Sequence, residues 1–283
     1  MIQKVNERQV FAMNFVEAKD FKIPIVGLGT WSLRGRDCAR LVEQAIRLGY
    51  RHIDTAQMYE NETEVGEGVH ASGLRAKVMV TTKVHPESLA PHELERSVKG
   101  SLVKLRLDVI DLLLIHWPNP KVPLAETLGA MARMKQAGLT RQIGVSNFTV
   151  ALLAEANKVS SEPLVCNQIE YHPFLDQDKV IAACRKAGMA VVAYSPIARG
   201  GAKGDKVLEK IGKVHGKSAA QVCLRWLTQQ GVVVIPRTSR VERLEENLGN
   251  LSFDLSDAEI KEITGLGRRD GRIVKVAWAP TWD

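Results

Sequence analysis

Short apolar runs alternate with helix-patterned stretches along the whole chain, and this alternation restricts the fold more than any other feature. The runs are Ile25 to Gly29, His52 to Ala56, Val78 to Lys83, Val109 to Trp117, Gln142 to Ser146, Val165 to Glu170, Ala190 to Ser195 and Val232 to Pro236. They are continuously hydrophobic, which suits strands buried on both faces of a parallel sheet. Between them, Asp37 to Leu48, Pro91 to Leu105, Leu124 to Ala137, Asp178 to Ala187 and Ser218 to Gln230 carry helical periodicity. Pro91 suits the first turn of a helix. Gly138, Gly188 and Gly231 stand where a helix ends in a left-handed residue.

Eight such units close naturally into an α/β fold, the (β/α)8 TIM barrel. With 283 residues, 45% of them hydrophobic, one barrel domain over residues 13–283 accounts for the chain. Residues 1–12 read as a polar N-terminal extension. Met13 to Pro24 read as a β-hairpin closing the barrel bottom. Ser256 to Gly265 opens with Ser256 and, three residues on, Glu259, a capping box that predicts one extra C-terminal helix.

The net charge of +7 is spread without a run of five like charges, which argues against nucleic-acid and membrane partners. No apolar run reaches membrane-spanning length, and no signal-peptide core is evident. Cys38, Cys166, Cys184 and Cys223 form no CxxC motif and read as small core residues in a reducing compartment, so a cytoplasmic location is expected. Gly66-Glu67-Gly68-Val69-His70-Ala71 fits G-x-G-x-x-A, but it follows a helix-like stretch, so the dinucleotide-fingerprint context fails.

Barrel active sites lie at the C-terminal ends of the strands. The second run ends near Asp54, with Tyr59 in the following loop; the third ends at Lys83 and the fourth at His116. Strand order alone brings these four to one mouth. A phenol is a weak acid at neutral pH, and a nearby ammonium favours phenolate. Lys83 is expected to lower the Tyr59 pKa, Asp54 to hold Lys83, and His116 to orient a carbonyl oxygen that Tyr59 protonates. Each residue alone could equally be a structural ion pair or cap. Trp31 and Trp117, near strand ends, are candidate pocket walls. His52 and His116 belong to no metal-ligand spacing, so no metal is expected.

These residues resemble the aldo-keto reductases. The resemblance rests on Gly27-Leu28-Gly29-Thr30-Trp31, on Gly49 to Glu62 with Asp54 and Tyr59, on Thr81-Thr82-Lys83, and on Leu114-Ile115-His116-Trp117-Pro118. It implies NADPH-dependent reduction of aldehydes and ketones by the tetrad Asp54, Tyr59, Lys83 and His116. By the same resemblance Ser146, Asn147 and Gln168 hold the nicotinamide amide, Tyr194 stacks on its ring, and Ser195 lies beside it. Arg237, Thr238 and Arg243 would bind the 2′-phosphate, and Glu246 and Asn247 the adenine. Arg237 stands where the family commonly has lysine, and arginine can grip phosphate in bidentate fashion.

Departures from the family pattern bear on substrate size. His85 stands where relatives often carry a pocket tryptophan. Both the loop Pro196 to Asp205 and the tail Gly271 to Asp283 are short, which points to small polar substrates. The tail resembles that of bacterial 2,5-diketo-D-gluconate and methylglyoxal reductases, with Trp278 or Trp282 placed to fold over the mouth. A monomer is expected. Two other classes remain open on sequence: an NADPH-binding redox-sensing subunit without turnover, and a metal-dependent barrel hydrolase.

Overall fold

The computed structural model describes residues 14–283. The extension expected over residues 1–12, and Met13, lie outside the described residues. The chain enters as an antiparallel hairpin, β1 (Phe15–Ala18) and β2 (Phe21–Pro24). Eight parallel strands follow: β3 (Leu28–Gly29), β4 (His52–Asp54), β5 (Met79–Val84), β6 (Ile110–Ile115), β7 (Thr140–Ser146), β8 (Leu164–Glu170), β9 (Ala190–Tyr194) and β10 (Val233–Val234). Each pairs with the next in sequence order. Parallel bridges Val26–Val234 and Gly29–Arg237 join the first strand to the last and close the barrel.

Helices follow the strands: α1 (Gly35–Leu48), α2 (Glu62–Ala71), α3 (Pro91–Leu105), α4 (Leu124–Gln136), α5 (Val150–Val159), α6 (Asp178–Lys186), α7 (Lys206–His215), α8 (Ala219–Thr228), α9 (Val241–Leu248) and α10 (Asp257–Thr264). The extra helix α10 starts at the expected Ser256–Glu259 capping box. Helix α7 is an addition to the expected pattern. Asp205 caps it, accepting from the amides of Val207 and Leu208, and it buries Leu208 and Ile211 one turn apart. The charged stretch after Arg240 forms α9 because Leu244 and Leu248 share its buried side.

Outward-facing strand residues pack against the helices. Inward-facing ones form a second cluster that includes Met79, Leu112, Leu114, Val192 and Val233. Ala18 and Ile23 of the hairpin join that inner cluster. Lys19 Nζ donates to Ala187 O at 2.6 Å, just before β9 begins, so the hairpin plugs the N-terminal end of the barrel. The G-x-G-x-x-A stretch lies on α2. A side chain on Gly66 would overlap Leu105 O, and one on Gly68 would overlap Ala39 O. These glycines let α2 approach its neighbours. All four cysteines are buried and unpaired.

Candidate active site

Alternation along β5 turns Met79 and Lys83 into the barrel, with Met79 in the inner cluster and Lys83 at its C-terminal end. β4 ends on Asp54, and His116 comes one residue after β6. Tyr59 closes a 3-10 turn over Gln57–Tyr59 beyond β4. The Lys83 ammonium is wholly buried, and each of its three N–H groups has an acceptor. Asp54 Oδ1 lies at 2.5 Å, Thr55 O at 2.8 Å and Tyr59 Oη at 3.4 Å. A buried charge persists only with such partners. Burial pushes the Lys83 pKa down, and Asp54 counters it. The second Asp54 oxygen accepts from Gln168 Nε2 at 2.7 Å. Tyr59 and His116 meet edge to face, with ring centroids 5.5 Å apart. The structure thus brings all four sequence-predicted residues together.

One electrostatic expectation is corrected. Burial pushes the Tyr59 hydroxyl well above its ordinary value, and the negative charge of Asp54 adds to this. Asp54 neutralises the ammonium that would otherwise favour phenolate. Tyr59 is therefore a phenol that keeps its proton. Burial, followed by the positive charge of Lys83, holds His116 well below its usual range, so its ring is neutral.

These groups open on a cavity of about 560 Å³. Asp54, Tyr59, His116, Asn147, Gln168 and Tyr194 line it, together with Trp31, Ser195, Arg199 and Arg237. Asn147 takes a left-handed backbone (φ 63°), a conformation asparagine tolerates. Its Nδ2 donates to His116 O at 2.9 Å, and its Oδ1 accepts from Tyr194 Oη at 2.8 Å, which fixes the Tyr194 ring. Ser146 Oγ donates to Gln168 O at 2.9 Å.

Farther along, Arg237 Nε donates to Trp31 O at 3.2 Å. Thr238 Oγ1 accepts from the Arg240 amide at 3.0 Å, at the start of α9. Arg243 pairs with Glu246, whose other oxygen accepts from Ser218 Oγ at 2.6 Å. Asn247 is buried. Of this group Arg237 alone is on the cavity wall; Thr238, Arg243, Glu246 and Asn247 lie beyond it on the loop and α9.

Trp117 lines the cavity as expected, but His85 does not. Its Nδ1 accepts from the Glu87 amide at 3.2 Å, capping the turn Pro86–Ser88. A polar residue directly before the proline that opens this three-residue turn is the sequence signal for that cap. The two tail tryptophans separate: Trp278 lines the cavity, while Trp282 packs edge-on against Trp117. Sequence reasoning missed Arg199, which lines the cavity with its guanidinium over the Trp31 ring, 4.8 Å from the ring centre. It also missed Met58, Val274 and Val276 as wall residues. Nothing in their local pattern distinguishes them from ordinary loop residues.

A family profile described as the aldo/keto reductase family matches residues 25–268. The chain belongs to this family. It is 40% identical over 265 residues to the methylglyoxal reductase DkgB of Escherichia coli O157:H7, covering 92% of this chain and 99% of that one. A crystal structure of a protein assigned as a 2,5-diketo-D-gluconic acid reductase B superposes with a TM-score of 0.94 at 44% identity, covering 96% of this chain and 98% of that one. A Bombyx mori aldo-keto reductase, solved in complex with NADP, gives a TM-score of 0.87 at 33% identity, covering 94% and 96%. As an aldo-keto reductase the chain is an oxidoreductase of the carbonyl-reducing type. Among the described residues no helix is long and apolar enough to cross a membrane, and no group of three His, Cys, Asp or Glu could hold a metal ion.

Proposed function

We propose that this aldo-keto reductase uses NADPH to reduce small polar carbonyl compounds, with methylglyoxal and 2,5-diketo-D-gluconate as the first candidates. The observation that carries the reading is the buried ammonium of Lys83, which ties Asp54 and Tyr59 into one unit on the cavity wall. The relatives described above are oxidoreductases acting on such compounds or binding NADP, and they lend nothing to a binding subunit without turnover.

The residues fit a phosphate-bearing dinucleotide. Asn147, Gln168 and the fixed Tyr194 ring offer amide groups and a flat aromatic face beside the tetrad. Arg199 and Arg237 line the cavity, and Thr238 and Arg243 extend the array to the N-terminal turn of α9, where helix amides favour anions. When bound, the cofactor supplies the hydride. Tyr59, held protonated, donates its proton to the substrate oxygen, so that a carbonyl gains one hydride at carbon and one proton at oxygen. The neutral His116 ring stands on the cavity wall, where its Nε2–H tautomer would donate to and orient that oxygen. Lys83 fixes the Tyr59 hydroxyl, and Asp54 fixes Lys83. Trp31, Trp117 and Trp278 form apolar walls around the reacting carbon. The protein would act in the cytoplasm as a monomer.

The test is cofactor consumption at 340 nm against methylglyoxal, 2,5-diketo-D-gluconate and a panel of aliphatic and aromatic aldehydes, with NADPH and NADH in parallel. Turnover of the small dicarbonyls with a clear preference for NADPH is expected. Turnover confined to bulky aromatic carbonyls, or equal use of NADH, would overturn the reading.

A further inference from the structure

The tail that forms one wall of the cavity has almost no secondary structure. From Gly271 onward the described chain forms no strand or helix, and a single turn hydrogen bond joins Ala279 to Val276. Yet Val274, Val276 and Trp278 all line the cavity. Something other than a sheet or helix ladder must hold them there.

The root of the tail is fixed where Leu175 bridges Arg268 and where a side chain on Gly271 would overlap Phe174 O. Just beyond it, the backbone amides of Ile273 and Val274 donate to the carboxylate of Glu170, at 2.5 and 2.9 Å. Glu170 is the last residue of β8, on the strand that also supplies Gln168, and its side chain is fully buried. His172 Nε2 lies 3.1 Å from the same carboxylate. Burial alone would raise the carboxyl's pKa, but the bonds from His172, Ile273 and Val274 outweigh it and hold Glu170 ionised. Farther out, the Arg272 guanidinium stacks 3.6 Å from the Trp282 ring centre, Trp282 packs on Trp117, and Asp283 accepts from the Val150 amide at 2.9 Å.

We propose that Glu170 is a positioning residue: its carboxylate latches the tail at Ile273 and Val274, and through Val274, Val276 and Trp278 sets how tightly the cavity holds a carbonyl substrate. Glu170 is absent from the cavity wall, and its carboxylate reaches the wall residues Val274, Val276 and Trp278 through the tail. This rests on the cavity being the substrate site.

The first measurement needs no substrate. Hydrogen exchange on the intact protein should show the amides of Ile273 and Val274 protected well beyond those of Lys275 and Ala277. Equal, fast exchange at all four would overturn the latch, whatever the enzyme reduces. The second is Glu170→Gln, whose single amide oxygen cannot serve both backbone donors as an anion does. Its KM for the carbonyl substrate should rise about tenfold, with kcat changed less than about threefold and the NADPH dissociation constant unchanged. Acrylamide quenching of tryptophan fluorescence should rise, and Glu170→Asp should recover part of the KM. An unchanged KM, or a loss confined to kcat, would overturn the proposal. If the glutamine variant fails to fold, Trp282→Ala, which loosens the same tail from its far end, must show the same KM-selective loss.

Discussion

Inside the barrel, one residue's protonation decides what its neighbours can do. Lys83 meets three acceptors, and Asp54 supplies the countercharge, so Tyr59 stays a phenol. Two residues before Asp54, His52 is buried with Nε2 against Thr81 Oγ1 at 3.0 Å and Nδ1 unpartnered. Burial is the main cause that pushes its pKa down to about 4. The unfolded chain therefore binds a proton below about 6.5 that the folded protein refuses until about 4. The stability this contributes is complete above the unfolded value and is lost as pH falls through that window. The shift corresponds to roughly 3 kcal/mol. Urea unfolding should give a midpoint that drops steadily from pH 7 to 4.5, and His52→Asn should flatten the drop. A wild-type midpoint independent of pH over that range would contradict the assignment.

At the scale of elements, the helices are held at distances their glycines set. Gly66 on α2 touches the backbone of α3 at Leu105, so Gly66→Ala should destabilise the fold by about 1–3 kcal/mol through overpacking. Gly100, inside α3, has no atom within 4 Å of where a Cβ would sit. Gly100→Ala should stabilise by about 0.5–1 kcal/mol, because alanine is the better helix former. Denaturant midpoints measured side by side decide the pair, and the same sign for both would contradict the packing described here. The element pattern also explains what the sequence revealed. The long runs at Val78 to Lys83, Val109 to Trp117 and Val165 to Glu170 all form strands, because continuous apolar runs have few other homes in a fold this size. Strands β3 and β10 are only two residues long, because their ends turn off early into cavity-lining loops.

Across the whole molecule, the barrel explains why the tetrad, Trp31 and Trp117 could be read from strand order while Arg199, Val274 and Val276 could not. Asp54, Lys83 and His116 sit within one residue of their strand ends, where closure forces convergence. Arg199, Val274 and Val276 reach the cavity from a loop and a tail whose paths depend on tertiary contacts such as those of Glu170. His85, one residue past β5, turns its Nδ1 to the Glu87 amide instead of lining the cavity. The central claim is that the half-buried, protonated Tyr59 hydroxyl on the cavity wall delivers the proton. Tyr59→Phe removes that oxygen and leaves the ring, the Lys83–Asp54 pair and the cavity walls in place. With methylglyoxal and NADPH, its kcat/KM should fall by about 10²–10⁴-fold, while NADPH binding by fluorescence is retained. A Tyr59→Phe enzyme that binds NADPH and turns over at the wild-type rate would contradict the account.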